Sequence, residues 1–384
     1  MEIKNLKKAA QRIIAAIEKK EKIILYGDAD LDGVTSLIIL KEGIRNLGGE
    51  LPVVYFPDLE KQGQGLNQKA LDSLKEEAPA LLVLLDCGIS NFGEIELAKK
   101  IGFETIVIDH HEVLDKLPNA FIVVDPKQNG DEYPFKNLAT SGITFKLAEI
   151  LLGDKMTDSL RKNFLELVAI STIADMMPEK EDNELMIAEG LFSLENTSRP
   201  GLKVFTELEE IKDYASTREL AQKIISTLNI TELKGYLNDA YLLLTSTSLE
   251  EAKDLVKNLL EKRIQRQARV REMTYEIEEI VFNKEKDKIV FEDSPNWPIV
   301  LLGTVASRIC AQFQKPTFII SRGEKNSRGS VRMPKGMNGV EAMKSCSELL
   351  EGFGGHPPAA GFSIKNENLD KFKDCLIKYF RKSE

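Results

Sequence analysis

Five short apolar runs alternate with helical patterns over the first 125 residues, and that alternation limits what the chain can fold into more than any other feature. Lys22–Gly27, Leu51–Phe56, Leu81–Asp86, Thr105–Asp109 and Phe121–Asp125 read as strands. The segments between them read as crossover helices; in Gly33–Leu47, for example, Leu37, Leu40, Ile44 and Leu47 recur at helical spacing. Strand and helix in turn imply an α/β fold built on a parallel, doubly wound sheet. Asn163–Met176 is a further apolar helix, stopped near Pro178. After Pro200–Gly201 the chain turns mostly helical, and Leu249–Phe282 reads as one long charged helix, suited to joining two domains. Beyond it, Lys288–Glu292, Pro298–Leu302 and Pro316–Ser321 read as strands of a smaller α/β domain whose end carries the glycine-rich stretch 351–362. The expected organisation is therefore a domain over 1–195, a helical connector over 196–285 and a second domain over 286–384.

Composition excludes several classes. With 42% hydrophobic and 29% charged residues the chain is neither disordered nor low-complexity. Its apolar runs are strand-sized, far below the ~20 residues a bilayer span needs. The charged amphipathic start lacks the apolar centre of a signal peptide, so a cytoplasmic address is expected, with no membrane partner. The four cysteines, Cys87, Cys310, Cys346 and Cys375, form no Cys-x-x-Cys pair and are expected to be reduced and structural. The net charge is −9, yet basic residues cluster in Lys257–Arg271 and again in Gly303–Gly336, so the molecule reads as polarised.

The informative residues stand where the strands end. Strand one runs into Asp28-Ala-Asp30-Leu-Asp32-Gly33, strand three ends at Asp86, strand four at Asp109-His110-His111, and strand five at Asp125. Ligands of an open parallel sheet bind outside the carboxyl ends of its strands. Several carboxylates crowded there raise one another's pKa unless a cation neutralises them, and a divalent metal is the simplest neutraliser. Imidazoles in an oxygen-rich shell suit manganese, iron, cobalt or zinc better than magnesium. Each piece alone has a plainer reading as a turn, a helix cap or a strand-end residue, and for Asp125 the structural role weighs as much as any other. An EF-hand is excluded, because Ile39 stands where its twelfth-position glutamate belongs. The conjunction is stronger: of three histidines in the chain, two sit together at a strand end and the third, His356, lies in the glycine-rich stretch.

The ordered set Asp28-Ala-Asp30-Leu-Asp32-Gly33, Asp86-Cys-Gly88, Asp109-His110-His111 and Ala174-Asp175 resembles the four motifs of the DHH phosphoesterase superfamily. Gly303-Thr-Val-Ala-Ser307-Arg308, Gly329-Ser330-Val-Arg332 and Gly354-Gly355-His356 resemble its DHHA1-type second domain as found in RecJ single-strand exonucleases. The segment from Glu189 to Arg199-Pro-Gly resembles the RecJ connecting region. The resemblance covers nearly the whole chain. It implies one metal site from Asp32, Asp86, His110 and Asp175, with Asp86 bridging to a second metal held by Asp28 and Asp30. Asp109 and His111 become inner-wall residues that orient the ligand histidine and meet the scissile phosphate. Two divalent ions, Mn²⁺ first and Mg²⁺ or Co²⁺ next, would activate a water for in-line attack on phosphorus. Arg308, Ser330 and Arg332, with Gly354, Gly355 and His356, would form an anion pocket in the second domain.

The activity implied is exonucleolytic hydrolysis of single-stranded nucleic acid, DNA before RNA, from the 5′ end, in repair, recombination or replication. Alternatives are hydrolysis of very short RNAs or cyclic dinucleotides, and a replication scaffold. Bacterial RecJ proteins carry more chain before the first motif and an extra OB-fold-like module; the compact layout is closer to archaeal RecJ-like proteins, some of which associate with GINS. Leu228-Asn229-Ile-Thr-Glu-Leu stands where the family has an asparagine-rich turn with an arginine. Lys262, Arg266 and Arg269 share one helix face that would follow phosphates or simply face solvent, and Trp297 reads as a packed plug. Arg322, Lys325 and Arg328 weigh equally as a solvated loop or as phosphate contacts. No phosphate-binding Gly-x4-Gly-Lys-Ser/Thr loop occurs.

Overall fold

The computed structural model describes residues 2–382 except 59–61, 64, 114–115, 210, 212, 230–232, 235–236 and 285–286. The chain divides into two compact units, Met1–Lys262 and Arg263–Glu384.

The first unit opens with α1 (Leu6–Glu18) and builds a five-stranded sheet from β1 (Ile23–Gly27), β2 (Val53–Tyr55), β3 (Ala80–Leu85), β4 (Phe103–Ile108) and β5 (Ile122–Val124). Its order is β2-β1-β3-β4-β5 and all pairings are parallel. The connections carry α2 (Leu31–Asn46), α3 (Gln68–Leu74) and α4 (Phe92–Ile101). Both faces of the strands are apolar because both are covered. Leu25, Val83, Ile106 and Val124 point into the core under α1, α2, α5 (Thr140–Leu152) and α6 (Asp158–Ala174). Ile24, Leu82, Leu84 and Val107 point the other way, under α3 and α4. This is why the strands read as unbroken hydrophobic runs; each buried leucine or isoleucine is worth about 1.5–3 kcal/mol. The order reverses at β1, so the crevice between the ends of β1 and β3 is the switch point where such sheets bind ligands. Helices α7 (Asp182–Leu194), α8 (Pro200–Glu207) and α9 (Thr217–Leu228), the short strands β6 (Leu233–Lys234) and β7 (Leu237–Asn238), and α10 (Asp239–Leu244) follow.

The long helix is α11 (Leu249–Asn283), and the division between the units falls within it. Buried Arg199 ties α8 into the first unit, making two 2.9 Å bonds to Glu42 on α2 and one of 3.0 Å to the Leu244 carbonyl.

The second unit holds a sheet of order β11-β12-β10-β9-β8, from β8 (Val290–Ser294), β9 (Thr317–Arg322), β10 (Asn326–Arg332), β11 (Leu350–His356) and β12 (Ala359–Lys365). Only β8 and β9 pair in parallel. One face packs Phe318, Val331 and Phe362 against α13 (Gly339–Lys344) and α14 (Leu369–Lys382). The other packs Val290 and Ile319 against α12 (Ile299–Phe313) and residues 270–281 of α11.

Two expectations are corrected here. Pro298–Leu302 is not a strand: Ile299 begins α12, because the apolar run continues at helical spacing through Val305, Ala306 and Ile309, all buried. Cys346 and Cys375 are not reduced but disulfide-bonded, their Cα atoms 6.1 Å apart, while Cys87 and Cys310 are free and buried. On α11, Lys262 Nζ reaches Asp239 at 2.6 Å, Arg266 donates to the Val300 carbonyl, and Arg269 donates to the Asn296 carbonyl and to Glu272, each at 3.0 Å. Trp297 is buried as a plug, its Nε1 donating to Glu276. Among the described residues no helix is long and apolar enough to cross a membrane.

Candidate metal centre

The carboxyl ends of β1, β3 and β4 bring the acidic motifs together. The Asp28 amide extends the β1–β3 pairing by donating to Leu85 O at 3.1 Å. Asp30 caps α2, its Oδ1 accepting from the amides of Asp32 and Gly33 at 3.0 Å each, which closes the helix start over the sheet end. Only glycine fits at 33, since a Cβ there would lie 2.4 Å from the Asp28 carbonyl oxygen. Asp32 is buried and accepts from the Thr140 and Ser141 amides, at 2.6 and 3.0 Å, at the N-terminus of α5. The helix end supplies partial positive charge to a carboxylate that would otherwise be costly to bury.

Asp86 sits just past β3 in the left-handed region, φ 64°, and is buried. Its Oδ1 accepts from Thr140 Oγ1 at 3.0 Å and lies 3.4 Å from His110 Nε2. His110 Nε2 is also 3.5 Å from Oδ2 of Asp175, the C-cap of α6. Asp109 is saturated by donors: the amides of His110, His111 and Ile89 at 2.8, 3.2 and 3.0 Å, and His111 Nδ1 at 2.8 Å. It fixes the backbone at both histidines and the ring of His111, but not the ring of His110.

Three overlapping sets of side chains, each with ligand atoms within 4.8 Å of one another, emerge: Asp32, His110 and Asp175; Asp28, Asp30 and Asp86; and Asp86, His110 and His111. Asp86 and His110 each belong to two of them. Asp125 belongs to none; it is buried at the end of β5, where its Oδ1 caps the Lys127 amide at 2.7 Å.

The electrostatics express an uncompensated acid cluster. Burial first, then the charges of Asp30, Asp32 and Asp28, drive Asp86 well above the carboxylate range. Burial raises Asp32, and it lifts both Asp175 and Asp125 to about 7. Burial opposes charge on Asp109 too, but the His111 hydrogen bond and its charge outweigh it and hold Asp109 down at about 2. That same bond raises His111 to about 9, while burial lowers His110. Asp175 Oδ2 and His110 Nδ1 are buried without a hydrogen-bond partner. Two carboxylate oxygens, that of Asp175 orphaned, facing one imidazole nitrogen at 3.4–3.5 Å are what neighbouring ligands around one ion at about 2.0–2.2 Å look like, so this donor set fits a divalent metal.

In the second unit, Ser330 and Arg332 project from β10 on one face. Arg332 donates to Ser330 Oγ at 3.1 Å, Ser307 Oγ at 2.9 Å and the Val331 carbonyl at 2.8 Å, all neutral acceptors. Register aligns Ser330 with Gly361 and Gly354, and Arg332 with Ala359 and His356, in two rows across β10, β12 and β11. Gly354, Gly355 and His356 are exposed on β11, and Arg308 is exposed on α12 beside Ser307. Arg322 is spent on Asp293 at 2.6 Å, whereas Lys325 and Arg328 are exposed. The Leu228–Leu233 segment singled out in the sequence lies partly outside the described residues, at 230–232.

Sequence reasoning passed over Thr140 and Ser141, which hold Asp32 and Asp86, and Asn238, whose Nδ2 donates to the Ala29 carbonyl at 2.8 Å. The adjacent hydroxyls opening an apolar helix were the one available signal for the first two.

Residues 22–172 match the DHH family, N-terminal domain, and residues 286–382 match the DHHA1 domain. The chain is 36% identical over 380 residues to the single-stranded-DNA-specific exonuclease RecJ of Bacillus subtilis, covering 98% of this chain and 48% of that protein. It is 31% identical to the RecJ of Thermus thermophilus, covering 98% of this chain and 54% of that one. The chain thus spans about half the length of these curated relatives. A crystal structure of exonuclease RecJ bound to manganese superposes with a TM-score of 0.83 at 28% identity, over 99% of this chain and 95% of that one.

Proposed function

Because the chain belongs to the DHH/DHHA1 phosphoesterase superfamily, we propose that it is a metal-dependent phosphodiesterase that removes nucleotides from single-stranded DNA, starting at the 5′ end and serving DNA repair, recombination or replication in the cytoplasm. The observation that carries this reading is the convergence of three potential ligand sets on Asp86 and His110 at the switch point of the sheet.

In this reading Asp32, Asp86, His110 and Asp175 hold one ion, and Asp28, Asp30 and Asp86 the other. A pair of divalent ions, Mn²⁺ by preference, supplies a nucleophilic water at neutral pH and charge stabilisation for in-line displacement at phosphorus. The protein's own part is orientation. The amides of Thr140 and Ser141 fix both oxygens of Asp32, and Thr140 Oγ1 fixes one oxygen of Asp86. Asp109 binds Nδ1 of His111, whose half-exposed ring leaves Nε2 for a phosphate oxygen. In the second unit Arg332, with no acid among its partners, keeps its charge for a phosphate, assisted by Ser330, Arg308, His356 and the backbone at Gly354 and Gly355. The proposed division of labour is catalysis in residues 1–195, a connector over 196–285 and substrate binding in 286–384. A replication partner of the GINS kind rests on the family resemblance alone.

The test is Mn²⁺-dependent digestion of a single-stranded oligonucleotide labelled separately at each end, in DNA and RNA versions, with a dinucleotide control. Stepwise release from the 5′ end of the DNA supports the proposal. Cleavage of the dinucleotide alone moves the chain to short-oligonucleotide hydrolysis, and metal binding without any cleavage turns it into a scaffold.

A further inference from the structure

The loop carrying Asp28 and Asp30 is held from far along the chain. Asn238, fully buried at the junction of β7 and α10, donates from Nδ2 to the Ala29 carbonyl at 2.8 Å across 209 residues of sequence. With its Oδ1 it accepts from the Ala240 amide at 2.7 Å and so caps α10. Helix α10 is itself fixed against α2: the Tyr241 ring lies 5.6 Å from that of Phe56, with Lys41 of α2 over it at 5.0 Å. Next to Asn238, buried Asp239 is paired at 2.6 Å with Lys262 on α11.

We propose that Asn238 is a positioning residue for the metal-binding loop. The reading rests on Asp28, Asp30 and Asp86 holding an ion. Ala29 lies between two of these ligands, and its carbonyl orients the peptide plane that joins it to Asp30. Holding that plane sets how the carboxylates of residues 28 and 30, which flank it in the bend after β1, turn toward Asp86. The side chain must accept from its own helix and donate to the loop at once. An amide does both; aspartate keeps the cap without the donor, and serine keeps the cap without the reach.

Asn238→Ser and Asn238→Asp separate the two tasks, because each retains a good cap. Free Mn²⁺ is followed by electron paramagnetic resonance during titration of the whole chain, beside thermal melting of the metal-free protein. Both variants are expected to lose about 10–100-fold in Mn²⁺ affinity at one of the two ions, with a metal-free melting curve that stays cooperative but shifts lower, because the Ala29 carbonyl loses its buried donor. Their hydrolysis is expected to recover toward the parental maximum as Mn²⁺ is raised. The added carboxylate of Asn238→Asp would by itself tighten cation binding, so a loss there isolates the missing donor, and it decides the matter should Asn238→Ser fail to fold. Parental Mn²⁺ affinity in Asn238→Asp overturns the proposal. A parent chain that binds no Mn²⁺ overturns the metal assignment beneath it instead.

Discussion

Two glycines ten residues apart on α2 should respond to the same substitution with opposite signs. At Gly33 a Cβ would sit 2.4 Å from the Asp28 carbonyl oxygen and 2.6 Å from its nitrogen, both backbone atoms. Ordinary contact begins near 3.4 Å, so the loop must retreat by about 1 Å, an overpacking strain of ~1–3 kcal/mol. The loop cannot retreat freely, because the Asp28 amide is bonded to Leu85 O and the Ala29 carbonyl to Asn238. At Gly43 a Cβ meets nothing within 4 Å, so Gly43→Ala collects the helical preference for alanine, ~0.5–1 kcal/mol. For a unit of this size, at about 2–4 °C per kcal/mol, Gly33→Ala should melt roughly 2–12 °C lower and Gly43→Ala 1–4 °C higher. Circular dichroism melts read both, and Mn²⁺ titration should show weakened binding in Gly33→Ala alone. A Gly33→Ala protein with parental melting and parental Mn²⁺ affinity would refute the packing of the loop against the helix start.

Asp86→Asn should lower Mn²⁺-dependent hydrolysis by about 10³-fold or more while leaving the circular dichroism spectrum intact, since asparagine tolerates the left-handed backbone at this position; near-parental turnover would remove Asp86 from the centre. Arg332→Ala should weaken oligonucleotide binding and reduce the slope of log affinity against log salt by about 1, as read by fluorescence anisotropy, and an unchanged slope would make the residue structural. Arg199→Ala leaves Glu42 and the Leu244 carbonyl without their buried partner and should cost about 3–5 kcal/mol; a melting temperature within a degree of the parent's would contradict that.

What was legible in the sequence is what carries a pattern. The parallel sheet shows because strands covered on both faces are apolar throughout, and the acidic motifs show because each follows such a run directly: Asp28 after β1, Asp86 after β3, Asp109 after β4. Pro298–Leu302 misled because a short apolar run has no period of its own, and only the continuation to Ile309 reveals a helix. Thr140 and Asn238 were nearly silent for another reason. Each acts on residues far away in sequence, at separations of 108 and 209, so the paired hydroxyls at the start of α5 are only a faint hint of the first and nothing local marks the second. The Cys346–Cys375 bond, spanning 29 residues, was equally without local signature.

The dispersal of the supporting residues also fixes when the centre can exist during synthesis. The loop at Ala29 leaves the ribosome 209 residues ahead of the asparagine that holds it, a delay of roughly 10–40 s at about 5–20 residues per second. Through that interval α10 is missing, while β3, β4, α5 and Asp175 emerge one after another to join the first acidic motif. The candidate ligands are thus all present once residue 175 is made, and only the clamp on the first loop waits for residue 238.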